Sequence, residues 1–239
     1  MKNLIQLFQN NAGAPRRSRI ENTANDEATV YLYDIIGGWW GGVDAHTFVK
    51  DLNALTTNTI HLRINSPGGD VFEGRAIATA LRAHKAKVVA HIDGVAASAA
   101  SFIAMAADEI EIAQGAFVMI HNGWTFAMGN RNDLRDAANM LEKFDESIVT
   151  DYHQRTGNDK DKIRAWLDAE TWFSSEEAVQ HKFADRLMDD PPKADNAWNL
   201  SAYNNAPKAL TEPPTPSPEP SIDRAHMERR VSLLERIAP

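Results

Sequence analysis

Apolar residues switch between two spacings across the middle of the chain. Ala28 to Ile36 alternates with period two and predicts a strand; Asp44 to Leu55 sets Phe48, Leu52 and Leu55 on one helical side; Thr59 to Asn65 returns to strand spacing. A helix over about Val71 to His84, a strand at Val88 to Asp93 and a short apolar helix from about Ser98 to Ala106 repeat the theme. Short strands are expected at Glu109 to Ala113 and Phe117 to Ile120. The longest helix is expected over Asn132 to Gln154, where Leu134, Ala138, Leu141, Phe144, Ile148 and Tyr152 fall three or four apart. Repeated strand-helix units of this kind predict an α/β fold built on a mainly parallel sheet with helical cover.

Composition changes at both ends of this stretch. Of eleven prolines only Pro67 lies between Ala28 and Asp190, whereas six fall between Pro207 and Pro220. Residues 28–190 are therefore expected to form one domain. Residues 191–220, with the run Thr-Glu-Pro-Pro-Thr-Pro-Ser-Pro-Glu-Pro, are expected to be an extended linker, since proline donates no backbone hydrogen bond. Within residues 221–239, Ile222, Met227, Val231, Leu234 and Ile237 could line a short amphipathic helix capped by Ser221, with a frayed tail the equal alternative. Residues 1–27, carrying Arg16, Arg17 and Arg19, are expected to be a flexible leader.

Charge and residue usage narrow the function. A net charge of -8 offers no electrostatic footprint for nucleic acid or an anionic membrane. No cysteine is present, which removes disulfides, thiolate metal sites and a cysteine nucleophile. No apolar run approaches the roughly 20 residues that span a bilayer, and the first nine residues do not resemble a secretory signal. A cytoplasmic protein is expected. No His-Glu-x-x-His spacing occurs, so neither metal nor cofactor is called for.

Three segments carry candidate chemistry. Asn65-Ser66-Pro67-Gly68-Gly69-Asp70 ends a strand and opens a helix, and its two glycines allow a sharp turn with outward N–H groups that could hold an anion or oxyanion. An ordinary strand-to-helix turn is the equal alternative. Gly94 to Ser101 also passes from strand to helix, and small neighbours leave the Ser98 hydroxyl accessible beside the Ala99 N–H. Alone, a serine among alanines is more often a cap or a packing contact, the role expected of Ser101. His121 follows the apolar run Phe117 to Ile120, and a histidine at the end of a buried strand suits a general base because its ordinary pKa near 6.5 lets it accept and return a proton. The other seven histidines lack such a setting.

Asn-Ser-Pro-Gly-Gly at 65–69, Gly-Val-Ala-Ala-Ser at 94–98, Val-Met-Ile-His at 118–121 and Trp-Phe-Ser-Ser-Glu-Glu-Ala at 172–178 resemble, in order and spacing, the ClpP-type serine peptidases. The likeness covers residues 28–190 and implies the ClpP/crotonase-like fold, with the long helix as a protruding handle through which two rings of subunits meet. It further implies Ser98 as nucleophile, His121 as base, and Gly68 or Gly69 with Ala99 as oxyanion donors. Where the family usually has aspartate this chain has Glu170; Asp168 is the alternative orienter, and a solvated acid is the bland reading of either. Homo-oligomeric, heptameric rings acting on protein substrates are implied as well.

Cellular ClpP enzymes rely on an ATP-driven unfoldase. The leader, the Gly-Gly-Trp-Trp-Gly-Gly segment at 37–42 and the proline-rich tail are closer to phage head-maturation peptidases, which cut capsid and scaffold precursors without one. Trp39 and Trp40 could pack at a subunit contact or shape a substrate pocket. A crotonase-like acyl-CoA enzyme and a non-catalytic scaffold ring are the readings from other classes.

Overall fold

The computed structural model describes residues 4–14, 17–23, 26–189 and 198–211. Its frame is one eight-stranded sheet. Strands β1 (Arg19–Thr23), β2 (Glu27–Leu32), β3 (Thr59–Ser66), β4 (Lys87–Ala97), β5 (Glu109–Ile112) and β8 (Arg186–Leu187) follow one another across it, while β6 (Phe117–Ile120) pairs β4 beyond β5 and β7 (Thr171–Ser174) pairs β6. Strands β2 to β6 run parallel wherever they pair, which puts their carboxyl ends together. Only β1 and β7 run antiparallel to their neighbours.

Four of the helices form where the spacing predicts them, with defined ends. Helix α2 (Ala45–Asn53) is capped by Asp44 and α3 (Val71–Ala83) by Asp70, whose carboxylate accepts the Phe72 and Glu73 N–H groups. The long helix α5 (Arg131–Thr156) starts in a capping box of Asn130 and Asp133 and stops at Gly157 in the left-handed conformation. Its buried residues are Ile148, Val149, Tyr152 and Thr156, so the N-terminal half stands clear of the body, as expected of a handle. Helices α4 (Ala99–Ala104), α6 (Lys160–Asp168) and α7 (Ser175–Gln180) complete this layer.

Alternation along the strands builds two cores. Val30, Leu32, Ile60, Leu62, Ile64, Val88, Ala90 and Ile92 meet Phe48, Leu52, Ile77, Leu81, Phe102 and Tyr152 of the helices in the larger one. The other face is polar toward the strand starts. There Arg63 holds Asp93 in a two-bonded pair, Nε to Oδ2 at 2.9 Å, and the Tyr33 hydroxyl donates to the same carboxylate. Toward the strand ends that face becomes apolar, with Val95, Ala97 and Met119.

This second apolar patch corrects the expectation for both termini. Helix α1 (Leu4–Asn10) lies within the expected flexible leader and buries Leu7 and Phe8 on the patch; β1, also within it, adds a strand to the sheet edge. The segment 198–211, within the expected linker and ending in the short helix α8 (Lys208–Thr211), contributes Trp198, Leu200, Ala202, Tyr203 and Leu210 to the same core. Asn11 joins the two, its side chain accepting from the Asn199 N–H at 2.8 Å and donating to the Asn199 carbonyl at 3.0 Å. Apolar area left bare by the sheet is what draws these stretches in. The expected helix at 221–239 lies outside the described residues.

Leu200 is fully buried in this patch. Leu200→Ala is expected to lower stability by about 2–5 kcal/mol, the usual range for truncating a buried leucine. Thermal or urea denaturation reads it; an unchanged transition would mean that the segment adds nothing to the core.

Candidate active site

The site lies at the carboxyl ends of the parallel strands, where loops from several strands converge. Ser98 sits between β4 and α4 with φ 52° and ψ -123°, a backbone conformation costly for any residue with a Cβ. Several contacts hold it there. The Ser98 N–H donates to the Met119 carbonyl at 2.9 Å, and Ser101 Oγ donates to the Ser98 carbonyl at 2.6 Å while meeting the Tyr152 hydroxyl at 2.7 Å. Ser101, expected to pack, thus pins the turn as well.

Strand pairing delivers the histidine. Ala97 is the partner of Met119 across β4 and β6, so the next residues leave the sheet side by side, and Ser98 Oγ lies 2.8 Å from His121 Nε2. Burial lowers the His121 pKa to about 4, and the negative charge of Glu170 works in the opposite direction. The ring is therefore neutral at pH 7 and able to accept the serine proton.

The glycine turn separates the two oxyanion candidates. Gly68 has φ 88°, and a Cβ on it would sit 2.5 Å from the Ala97 carbonyl and 2.8 Å from Ser98 Cβ; a Cβ on Gly69, at φ 149°, would fall on the Ile36 carbonyl. Only glycine permits so close an approach to the serine turn. The Gly68 N–H donates to Ser66 Oγ at 3.2 Å and is directed away from the site. The Gly68 carbonyl accepts from Ile36 N–H at 2.9 Å, and because a trans peptide holds its C=O and N–H antiparallel, the Gly69 N–H faces away from Ile36. Of the two glycines, Gly68 has its N–H on Ser66 Oγ, while the Gly69 N–H is turned from Ile36.

The acids divide as well. Register places Thr171 of β7 opposite Ile120, so Glu170 comes up beside His121. Glu170 is left-handed at φ 47°, and its Oε1 accepts the Asn205 N–H at 2.7 Å. Its influence on His121 is through charge, since Ser98 is the only hydrogen-bond partner of the ring among the described residues. Asp168, the alternative orienter, accepts from Asn122 Nδ2 at 2.6 Å and is not brought to the ring.

Beside Ser98 and His121 opens a cavity of about 280 Å³ walled by Phe72, Phe102, Phe126, Leu141, Phe144 and Ile148, a lining suited to an apolar side chain. Trp39 does not reach it and is 92% exposed. No group of three or more metal-ligating side chains occurs among the described residues.

Sequence reasoning missed Trp198, Tyr203 and Asn205. The Trp198 indole N–H donates to the Asn65 carbonyl at 2.9 Å, the Tyr203 hydroxyl donates to the Pro67 carbonyl at 2.5 Å, and the Tyr203 ring meets His121 edge-on with centroids 5.5 Å apart. The one signal available was the alternation Trp198, Leu200, Ala202 inside a stretch assigned as linker.

A strained serine hydrogen-bonded to a neutral histidine beside a glycine turn and a helix start is an arrangement suited to acyl transfer. The Clp protease family model matches residues 19–191, and the chain belongs to that family. Among curated relatives, "ATP-dependent Clp protease proteolytic subunit" of Deinococcus radiodurans is 32% identical over 132 residues, covering 54% of this chain and 65% of that one. "ATP-dependent Clp protease proteolytic subunit 1" of Prochlorococcus marinus is 30% identical over 135 residues, covering 56% and 69%. Among solved structures, a point mutant of ClpP1 from Listeria monocytogenes matches with TM-score 0.61 over 68% of this chain and 91% of that one, at 24% identity, which establishes the fold. The chain thus spans about two thirds of the length of the curated relatives. No helix among the described residues is long and apolar enough to cross a membrane.

With His121 as base, the acid limb of kcat/KM is expected near pH 4, where the imidazole gains its proton, and not near 6.5. A pH-rate profile on a pH-stable peptide substrate decides; a limb at 6.5 would contradict the burial of the ring. Glu170→Gln removes the charge that favours imidazolium, so the limb should move lower. Because that charge acts without a direct bond, kcat should fall on the order of tenfold, against the roughly 10⁴-fold loss seen when a directly bonded triad acid is neutralised.

Proposed function

We propose that this chain is a serine-type endopeptidase that hydrolyses peptide bonds. The observation that carries the reading is the 2.8 Å approach of Ser98 Oγ to His121 Nε2 at a turn whose backbone is held in a strained conformation. Ser98 Oγ bonds to the substrate carbonyl carbon while its proton passes to His121 Nε2, and the negative charge on the carbonyl oxygen is met by the Gly69 and Ala99 N–H groups. His121 then gives that proton to the departing amine as the C–N bond breaks. Water attacks the acyl-serine, surrenders a proton to His121, and the proton returns to Ser98 as the acid leaves. Glu170 steadies the transient imidazolium. The apolar cavity receives the substrate residue beside the scissile bond.

The enzyme works as a homo-oligomer built from rings. Exposed apolar side chains around the start of α5, with Phe126 at 80% and Met128 at 87% exposure, support a subunit contact along this handle. Two settings fit such a ring. The relatives' names speak for the first, a proteolytic subunit served by an ATP-driven unfoldase. The second is processing of capsid and scaffold precursors in an assembling phage head; its support is the leader, the 37–42 segment and the tail, which also suggest self-cleavage or docking by the tail.

Co-expression with neighbouring gene products, with Ser98 intact or as Ser98→Ala, tests activity and setting together. Precursor chains should shorten only with Ser98 intact, and a fluorophosphonate should label wild type and not Ser98→Ala. Absence of labelling at Ser98 would exclude the peptidase and leave an acyl-CoA enzyme or a scaffold ring. Labelling without shortening of any neighbour would favour the unfoldase-served setting.

A further inference from the structure

The segment 198–211 lies beyond the residues matched by the family model, yet it touches every corner of the candidate site. At the glycine turn, Trp198 and Tyr203 donate to the carbonyls of Asn65 and Pro67 at 2.9 and 2.5 Å. Against the histidine, the Tyr203 ring stands perpendicular to the imidazole and is backed by Trp172 at 5.7 Å. At the acid, Asn205 donates its N–H to Glu170 Oε1 and its side-chain Nδ2 to the Ala169 carbonyl, both at 2.7 Å.

We infer that Tyr203 is a positioning residue of the reaction, fixing the glycine turn through the Pro67 carbonyl and the plane of His121 through its ring. The inference rests on the peptidase reading of this site. Its logic follows the backbone. Bonding the Pro67 carbonyl sets the Pro67–Gly68 peptide plane, which turns the Gly68 N–H onto Ser66 Oγ. With that plane set and the Gly68 carbonyl on the Ile36 N–H, the Gly69 N–H is held facing away from Ile36, and we take this as the direction that serves the oxyanion. The hydroxyl is a dependable donor, because burial and the Glu170 charge raise its pKa far above neutral, with the Ser98 hydroxyl opposing.

An inhibitory strap is the opposite reading of the same contacts, and packing decides against it. Release of the segment would expose Trp198, Leu200, Tyr203 and Leu210 to water together with the α1 face they cover, which the loss of apolar burial opposes. The apolar cavity beside Ser98 is also open and is not lined by any residue of the segment. The segment braces the site from behind and leaves its mouth free.

The test uses the full chain and the rate of fluorophosphonate labelling, alongside kcat and KM on a short fluorogenic peptide. Tyr203→Phe keeps the ring and removes only the hydroxyl. It should slow labelling and lower kcat about tenfold with KM unchanged, since an imperfectly aimed oxyanion donor costs the transition state more than the bound substrate. Leu200→Ala loosens the same segment without touching the site, and below its lowered melting temperature it should label at the wild-type rate. Tyr203→Phe labelling as fast as wild type would overturn the inference while leaving the peptidase reading intact, and faster labelling would replace it with the strap. An equal slowing in Leu200→Ala would reduce Tyr203 to a packing residue. Wild type that does not label at all would remove the peptidase reading and this inference with it.

Discussion

The turn at Ser98 depends on a backbone conformation that an isolated chain would abandon. Its left-handed φ costs of order 1–3 kcal/mol, so the surroundings must hold it with interactions worth more than that. They do so from three directions: the Met119 carbonyl along the sheet, the Ser101–Tyr152 pair from the helices, and the glycine turn pressed against Ala97 and Ser98. Each belongs to a different element, and each is itself buried. The long β4, which pairs β3, β5 and β6, is the member that makes all three possible.

The same strand pairing governs His121. Parallel pairing of β4 with β6 sets the approach of imidazole to hydroxyl without any dedicated loop, and the antiparallel return of β7 brings the acid. Burial that keeps the ring neutral would handicap the imidazolium formed during reaction, and the nearby Glu170 charge offsets part of that handicap. The extra methylene of glutamate over aspartate matters here. It lets the carboxylate lie on the Asn205 N–H while its charge still reaches the ring.

Legibility in the sequence followed locality. Strands β2 to β6 and helices α2, α3 and α5 announce themselves through apolar residues at strand or helix spacing, and Ser98 and His121 stand out because each follows an apolar strand directly. Strand β1 was hidden: Arg-Ile-Glu-Asn-Thr has one apolar residue and lies at the sheet edge, where little burial is asked of it. Gly68 could not be told from Gly69, since the orientations of two successive peptides, one bonded by Tyr203 and the next by Ile36, are not written in the motif. Asp168 and Glu170 are two residues apart, and only the turn after α6 reveals that one faces Asn122 and the other the histidine. The segment 198–211 was misassigned because nearby prolines signal exposure, whereas its aromatic residues find a patch formed by residues roughly 80 to 190 positions earlier.

That separation bears on when the site comes into being. Asn11 and Asn199, and Asn10 and Ser201, are bonded across 188 and 191 positions of chain, and the Pro67 and Glu170 contacts wait for Tyr203 and Asn205. A ribosome delivers these partners only after the whole sheet has emerged, and long-range contacts of this kind form late in folding. Until then the glycine turn and Glu170 lack these partners, while the Ser98 turn already has those from Met119, Ser101 and Tyr152.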